Sequence, residues 1–245
     1  MNVSRELDFG HRDRKDIYEY VERHGSVDID RVRRELFPND ERRFRHQLAL
    51  LKRDGYVEQE DDELRVVLES MGEEEEFEED GVNFSIRPAR QEDLGGVVGV
   101  IRQVTSDKTY IEAENVAEAL DHQDVLLRHN ELESRTFFVA VVDDEVVGWA
   151  HVEAPEVEKL GHNAELTFGV LDDYRGMGIG DHLFRRATEW ARSEGYEKVY
   201  QSVPATNEEA VDYLESRGCY VDAVRENHYK IDGDYVDEVM LALEL

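Results

Sequence analysis

The stretch Tyr174-Arg175-Gly176-Met177-Gly178-Ile179-Gly180 decides the fold of this chain. It follows a predicted strand, Ala164 to Val170, and opens a predicted helix. The apolar face of that helix consists of Ile179, Leu183, Ala187, Trp190 and Ala191. Glycine lets the backbone approach a ligand closely, and a helix N-terminus favours an anion. The segment therefore predicts an anion-binding site, to which Arg175 adds a positive charge.

The glycine spacing separates this loop from other phosphate-binding loops. A Walker loop requires Gly-Lys-Ser/Thr, which is absent, and a dinucleotide fingerprint requires Gly-x-Gly-x-x-Gly. Here the spacing is Gly176-x-Gly178-x-Gly180. The loop also follows a predicted antiparallel hairpin, residues 137–142 and 145–152, instead of opening a first β-α-β unit. That order disfavours a Rossmann domain.

The segment Arg175-Gly-Met-Gly178-Ile-Gly180 is similar to the Arg/Gln-x-x-Gly-x-Gly/Ala signature of the GNAT superfamily of acyl-CoA-dependent N-acyltransferases. Two later segments also resemble this family. Asn207 to Gly218 fits its Asn-x-x-Ala-x-x-Tyr-x-x-x-x-Gly helix, and residues 228–240 form a predicted closing hairpin with an Asp-Gly turn. The resemblance covers residues 82–245. It implies a mixed α+β fold with a central twisted, mostly antiparallel sheet flanked by helices.

The resemblance also implies acetyl-CoA as co-substrate. The glycine loop is expected to hold the pyrophosphate, and the backbone of the preceding strand to align the pantetheine arm and polarise the thioester carbonyl. The cofactor-binding positions are then Phe168, Gly169, Val170, Arg175, Gly176, Met177, Gly178, Ile179, Gly180 and Asn207.

Acetyl transfer to an amine needs a base for the ammonium proton and an acid for the leaving thiolate. By resemblance Tyr213 is the general acid; the alternative is a tyrosine of the core. Glu165 is the candidate base, although it can equally be a solvated strand residue, with His162 or a substrate-bound water in its place. A metal is not expected, because the chain has one cysteine and no zinc-like Cys/His spacing.

Residues 1–70 form a second unit, predicted as three short helices followed by a hairpin around the acidic turn 60–63, which resembles the winged helix-turn-helix family. Between Arg31 and Arg53 eight bases oppose three acids, a local charge that suits phosphates. The candidate nucleic-acid residues are Arg42, Arg43, Arg45, His46, Lys52 and Arg53. The alternatives are a solvated helical face and a module that contacts another protein. The acidic hairpin tip favours these alternatives, because it would lie poorly beside phosphates.

Residues 71–81 carry seven acids, no base and one aromatic residue, and they are interpreted as an acidic linker between the two domains. The whole chain has 59 acids against 29 bases and a formal charge of -30, which excludes a chain that is basic overall. Only six of the bases are lysines. In molar salt the Debye length falls to about 3 Å, so this charge suits a salty cytoplasm, and the alternative is an ordinary acidic protein. Neither a signal peptide nor a membrane-spanning segment is predicted.

These observations favour an N-acetyltransferase acting on a primary amine of a small or amino-acid-like substrate, by direct attack in a ternary complex. Two alternatives stay open: a DNA-binding regulator with an acyl-CoA-sensing domain, and a protein-lysine acetyltransferase. A homodimer is one hypothesis for the assembly. The acceptor would be set by residues 90–133, where no motif is recognised.

Overall fold

The computed structural model describes residues 11–53, 55–67, 74–106, 110–123, 125–126, 128–129, 134–154 and 158–245. Two separate hydrophobic cores are present in them. One contains residues between Ile17 and Leu64, and the other contains residues between Phe84 and Leu241. Among the described residues, no helix is both long and apolar enough to cross a membrane.

The first core is enclosed by three helices and a small sheet. These elements are α1 (Arg12–His24), β1 (Ser26–Asp28), α2 (Ile29–Leu36), α3 (Glu41–Arg53), β2 (Val57–Glu60) and β3 (Glu63–Val66). Asp28 and Asp40 start α2 and α3, since each carboxylate accepts a hydrogen bond from the backbone three residues later. The sheet order is β1-β3-β2. Strand β1 was not predicted, and the identity of this unit as a winged helix stays a prediction.

The second core lies around a nine-stranded sheet. Its strands are β4 (Glu75–Glu79), β5 (Val82–Pro88), β6 (Arg128–His129), β7 (Ser134–Val142), β8 (Glu145–Ala154), β9 (Asn163–Val170), β10 (Lys198–Pro204), β11 (Tyr220–Ile231) and β12 (Asp234–Glu244). The helices are α4 (Leu94–Val104), α5 (Ile111–Gln123), α6 (Ile179–Ser193) and α7 (Glu208–Ser216). The predicted mixed α+β fold with a mostly antiparallel sheet is confirmed.

The strand order is β11-β12-β10-β9-β8-β7-β5-β4, with β6 beside β7. Within the described residues, β9 and β10 form the one parallel pair, and they pair only from Asn163–Lys198 to Glu165–Tyr200. Beyond that point both strands continue for several residues without pairing with each other, although β9 stays paired with β8 and β10 with β12. We call the resulting gap the seam, and it opens the middle of the sheet.

Side-chain alternation gives the seam two different faces. Phe168 points towards α6 and α7, where its ring lies 5.6 Å from that of Phe184 and 5.8 Å from that of Tyr213. Glu165 and Thr167 point to the opposite face, which Tyr110 and the start of α5 cover. One face of the seam therefore lies beside the N-terminus of α6, and the other face carries carboxylates.

The interpretation of residues 71–81 as a linker is wrong for Glu75–Glu79, which form β4 and pair along β5. Residues 71–73 lie outside the described part of the chain. The ring of Phe77 lies 5.3 Å from that of Phe84 and 3.8 Å from that of His182. Glu75 forms an ion pair with Arg186. Phe84 thus provides the apolar surface that the segment lacks, and Arg186 provides the positive charge.

Candidate active site

The glycine loop has the geometry that its sequence predicts. Gly176 and Gly178 have φ angles of 77° and 74°, a region that residues with a Cβ rarely adopt. A Cβ on Gly176 would have no neighbour within 4 Å. Gly178 caps α6, and its carbonyl accepts hydrogen bonds from the backbone of Asp181 and His182. The loop therefore presents an open backbone at a helix N-terminus, which attracts negative charge.

The side chains of this loop have separate roles. Arg175 Nε donates to the Val170 carbonyl at 3.3 Å, and its Nη2 lies 3.0 Å from Asp172 Oδ1, so the guanidinium anchors the loop to the end of β9. Ile179 is buried in the core, whereas Met177 is half-buried. Only the backbone of Ile179 is therefore available to a ligand.

A carboxylate from β4 lies at the same helix N-terminus. A Cβ placed on Gly178 would overlap Glu79 Oε2, and Glu79 Oε1 lies 2.7 Å from Nε2 of His182. On the other side of that imidazole, Nδ1 lies 2.8 Å from Arg185 Nη2. Sequence reasoning missed this contact, because it placed Glu79 in a linker.

At the seam, the backbone N–H of Phe168 donates to the Tyr110 hydroxyl at 3.2 Å. The Gln201 amide from β10 also donates to this hydroxyl, so Tyr110 bridges the two diverging strands. Burial, and then the nearby Glu165 and Glu112, raise the pKa of Tyr110 well above its usual range. At Gly169 any Cβ would overlap the ring of Trp149. Tyr110 is a site residue that no sequence motif indicated.

Tyr213 lies where the loop and the seam meet. A Cβ on Gly180 would be 3.6 Å from its hydroxyl. That hydroxyl donates to Asp181 Oδ1 at 2.5 Å, and Arg217 holds the other oxygen of Asp181. Burial first, and then the hydrogen bond to Asp181, raise the pKa of Tyr213, so the phenol keeps its proton. The predicted residue is therefore near the loop, and its catalytic role stays a prediction.

Asn207 caps a helix, and His162 lies at the start of β9, away from the open part of the seam. The side-chain oxygen of Asn207 accepts a hydrogen bond from the backbone of Ala210 at 3.1 Å, which caps α7. Its contact with the cofactor stays a prediction. The imidazole of His162 is exposed at the residue that precedes β9, on the closed side of the seam. This position favours Glu165 over His162 as the base.

Glu165 belongs to a group of four carboxylates on the second face of the seam. It lies opposite Glu153 on β8 and beside Tyr200 on β10. Burial, followed by the charges of Glu112, Glu153 and Glu238, raises the pKa of Glu165 to about 7. We call Glu112, Glu153, Glu165 and Glu238 the acid wall. A carboxyl with this pKa can both accept and release a proton near neutral pH.

The six predicted nucleic-acid residues all lie on α3, and their side chains are exposed. Arg43 forms a bidentate ion pair with Asp13, and Arg45 forms an ion pair with Glu41. Lys52 donates to Gln59 on the acidic hairpin at 2.7 Å. Two of the six candidate residues, Arg43 and Arg45, are therefore already paired with acids of this unit. DNA binding stays a prediction.

Comparison with known proteins identifies the second unit. Residues 101–219 match the Acetyltransferase (GNAT) family. A curated relative, N-alpha-acetyltransferase 50 of Danio rerio, is 29% identical over 66 residues, which are 26% of this chain and 39% of the relative. The chain thus spans about two fifths of the length of that relative.

Solved structures share the fold. The acetyltransferase of the GNAT family from Streptococcus pneumoniae superposes with a TM-score of 0.55 at 18% identity, covering 66% of this chain and 99% of that one. The protein yncA from Salmonella typhimurium, solved with its cofactor acetyl-CoA, has a TM-score of 0.55 at 18% identity, covering 66% and 94%. Residues 101–219 therefore match the GNAT acetyltransferase family, and the second unit has the fold of solved GNAT acetyltransferases.

Proposed function

We propose that this protein transfers an acetyl group from acetyl-CoA to a primary amine. The observation that carries the proposal is the seam. It opens beside a glycine loop at a helix N-terminus, and it contains a backbone N–H of Phe168 between a phenol on one face and a carboxylate of raised pKa on the other.

The residues of the loop fit a pyrophosphate. Gly176 has open space, Gly178 has a left-handed backbone, and α6 points its N-terminus at the loop. Glu79 already puts negative charge at this position, in agreement with an anion site. Because the Glu79 side chain is 44% exposed on an edge strand, it can rotate away at small cost. A bound pyrophosphate would require that rotation.

When bound, acetyl-CoA supplies an acyl group activated as a thioester. The N–H of Phe168, which now donates to Tyr110, is the group that we propose to donate to the acyl oxygen. Preorganised donors of this kind stabilise negative charge as it develops. Tyr110 would then release this N–H and remain beside it as part of the acyl pocket.

Glu165 and Tyr213 would carry the two proton transfers. Above pH 7 the Glu165 carboxylate is mainly ionised and can take a proton from the ammonium of the acceptor. The phenol of Tyr213 keeps its proton throughout the neutral range and can donate it to the departing sulfur, after it exchanges Asp181 for that partner. Asp181 thereby orients the phenol in the free protein.

Calorimetric titration of acetyl-CoA into the full chain in molar KCl tests the first half of this proposal, and thiol release with a panel of amines tests the second. We expect saturable binding and amine-dependent release of CoA. Absence of heat from protein that is folded by circular dichroism would contradict the proposal. It would favour a regulatory role instead, which a DNA shift assay with the full chain at several salt concentrations would examine.

A further inference from the structure

The indole of Trp149 lies beside the open part of the seam, on the face that carries Glu165. Trp149 on β8 is directly opposite Gly169 on β9, and a Cβ at Gly169 would overlap Cη2 and Cζ3 of the indole. The far edge of the six-membered ring therefore lies over the backbone of Gly169. A glycine is needed at this position, since any larger residue would displace the ring.

A second aromatic ring packs against this indole. The ring of Tyr110 is stacked with that of Trp149, with the centroids 6.5 Å apart and an angle of 29° between the planes. The Tyr110 hydroxyl accepts hydrogen bonds from the Phe168 N–H, at 3.2 Å, and from the Gln201 amide. Both aromatic side chains are buried. We call Trp149 and Tyr110 the aromatic pair, and it closes one face of the seam beside the Phe168 N–H.

Core packing alone does not explain a tryptophan at position 149. Its Nε1 has no hydrogen-bond partner among the described residues, although the side chain is fully buried. A buried indole N–H usually has an acceptor, and leaving it unpaired costs free energy. Phenylalanine or leucine would fill a core position without that cost. These side chains lack the length that brings the ring edge over Gly169, so the reach of the indole is the property that distinguishes Trp149.

The position proposed for the thioester determines where its acyl chain points. The acyl oxygen accepts from the Phe168 N–H, which lies between the strands, and the sulfur lies towards Tyr213 on the other face. Because the three bonds of a carbonyl carbon lie in one plane and point apart, the acyl chain is directed away from Tyr213. It therefore points to the face that the aromatic pair closes.

The aromatic pair leaves little room for that chain. An acyl oxygen at the Phe168 N–H takes the place of the Tyr110 hydroxyl, while Gln201 still holds that hydroxyl from the side of β10. The phenol can then shift only slightly, because Trp149 packs against its ring. A closely packed interior tolerates added methylene groups poorly. The methyl of an acetyl group would contact the pair, and each further carbon would have to displace one of the two rings.

We propose that Trp149, together with Tyr110, limits the length of the acyl group, so that the protein accepts acetyl-CoA and rejects thioesters of butyryl length or longer. This inference rests on the proposed function for the position of the thioester. It makes Trp149 a specificity-determining residue, with propionyl-CoA as the intermediate case.

Equilibrium binding tests the proposal without turnover. CoA, acetyl-CoA, propionyl-CoA and butyryl-CoA are titrated calorimetrically into the full chain in molar KCl, with no amine present. We expect acetyl-CoA to bind about tenfold or more tightly than butyryl-CoA, since a site of fixed size rejects added methylene groups. Equal affinities for these two thioesters would overturn the proposal. Absence of binding by all four ligands would instead contradict the proposed function, and this inference with it.

Variants that shorten the side chain locate the limit. Trp149→Phe and Trp149→Leu should each remove most of the preference for acetyl-CoA over butyryl-CoA, by raising butyryl-CoA affinity about tenfold and leaving CoA affinity unchanged. Trp190→Phe is the matched control, because Trp190 is a buried tryptophan that packs near Phe138 and Tyr196. If Trp149→Leu does not fold, the more conservative Trp149→Phe carries the test. An unchanged preference in folded Trp149→Phe, or an equal change in Trp190→Phe, would overturn the assignment.

Tryptophan fluorescence measures the proposed contact directly. The chain has two tryptophans, so Trp149 is the sole tryptophan of the Trp190→Phe variant. Saturation with acetyl-CoA should change its emission more than saturation with CoA does, because the acyl group is the part of the ligand that reaches the ring. Identical spectra with the two bound ligands would place the acyl group away from Trp149 and contradict the assignment.

Discussion

The glycine loop and the acid wall lie on the two faces of one seam, yet they are built in different ways. The loop is one run of six consecutive residues, Arg175 to Gly180, at a helix N-terminus, whereas the wall consists of side chains from α5, β8, β9 and β12. Glutamates also act oppositely at the two places. Glu79 is half exposed at the N-terminus of α6, where it contacts His182, whereas Glu238 is buried in the wall. The role of a glutamate in this domain thus depends on its burial and on the strand to which it belongs.

The largest effect should come from the loop. Gly178→Val places a side chain at a φ of 74° and where Glu79 and any pyrophosphate would approach. We expect acetyl-CoA affinity to fall by about two orders of magnitude or more, because strain and exclusion act together. Calorimetry measures the affinity, and circular dichroism checks the fold.

Gly99→Ala is the matched control, since Gly99 lies within α4 and a Cβ there would have no neighbour within 4 Å. It should leave binding unchanged and stabilise the helix slightly. Normal acetyl-CoA affinity in a folded Gly178→Val variant would remove the loop from the binding site.

Tyr213→Phe should affect turnover and leave binding intact. Loss of a general acid lowers the rate about 100-fold or more, whereas the phenol contributes little to a pyrophosphate site. Steady-state kinetics and calorimetry on the same preparation separate the two effects. Tyr235→Phe, at a hydroxyl on the exposed β11–β12 hairpin, is the control. An unchanged turnover number would exclude Tyr213 from the chemistry.

The loop could be predicted from the sequence because its function depends on neighbours in the chain. Gly176, Gly178 and the start of α6 follow one another, so spacing and helical periodicity were sufficient. Tyr213 followed from a second local pattern. In contrast, Tyr110 and Gln201 are 91 residues apart in the chain and meet only after the domain folds, and no short pattern encodes that contact.

The error at β4 has a different cause. Asp80 and Gly81 have φ angles of 50° and 81°, the conformation of an Asp-Gly hairpin turn. That dipeptide was a turn signal within the acidic run, and it indicates two strands on either side. The count of seven acids outweighed it, because the partners of Glu75 and Glu79, Arg186 and His182, lie about a hundred residues away in the chain.

A smaller effect is expected from pH. With the pKa of Glu165 raised to about 7, kcat/KM for an amine should rise as pH increases through 7, since the carboxylate must be ionised to accept a proton. Groups facing it are Glu112, Glu153, Glu238, Tyr110 and Tyr200. Glu165→Gln should remove this limb and lower the rate about tenfold or more. If Glu165→Gln leaves the rise of kcat/KM with pH unchanged, the base is another group.

The same shift affects stability. A carboxyl whose pKa is about 7 when folded and 4.5 otherwise favours folding below pH 4.5, and this contribution is lost as pH rises through 7. Glu165→Gln should therefore raise the free energy of unfolding at pH 8, by on the order of 1–2 kcal/mol after allowance for partial exposure. Urea denaturation at pH 5 and pH 8 measures the difference, which should be larger at pH 8.

The smallest effect, and the sharpest test of the contrast between the two faces, is expected at Glu79. If this carboxylate competes for the N-terminus of α6, then Glu79→Gln should increase acetyl-CoA affinity, by about threefold to tenfold in dilute buffer. The gain should shrink in molar KCl, because salt screens an exposed charge.

The control is Glu78→Gln, on the neighbouring exposed position of β4, which removes the same charge without the contact to His182. Equal gains in the two variants would indicate only the net charge of the chain, whereas a gain confined to Glu79→Gln would mean that this protein carries an internal competitor for its own anion site. No such gain is expected from Glu238→Gln, because its carboxylate lies on β12 away from the loop.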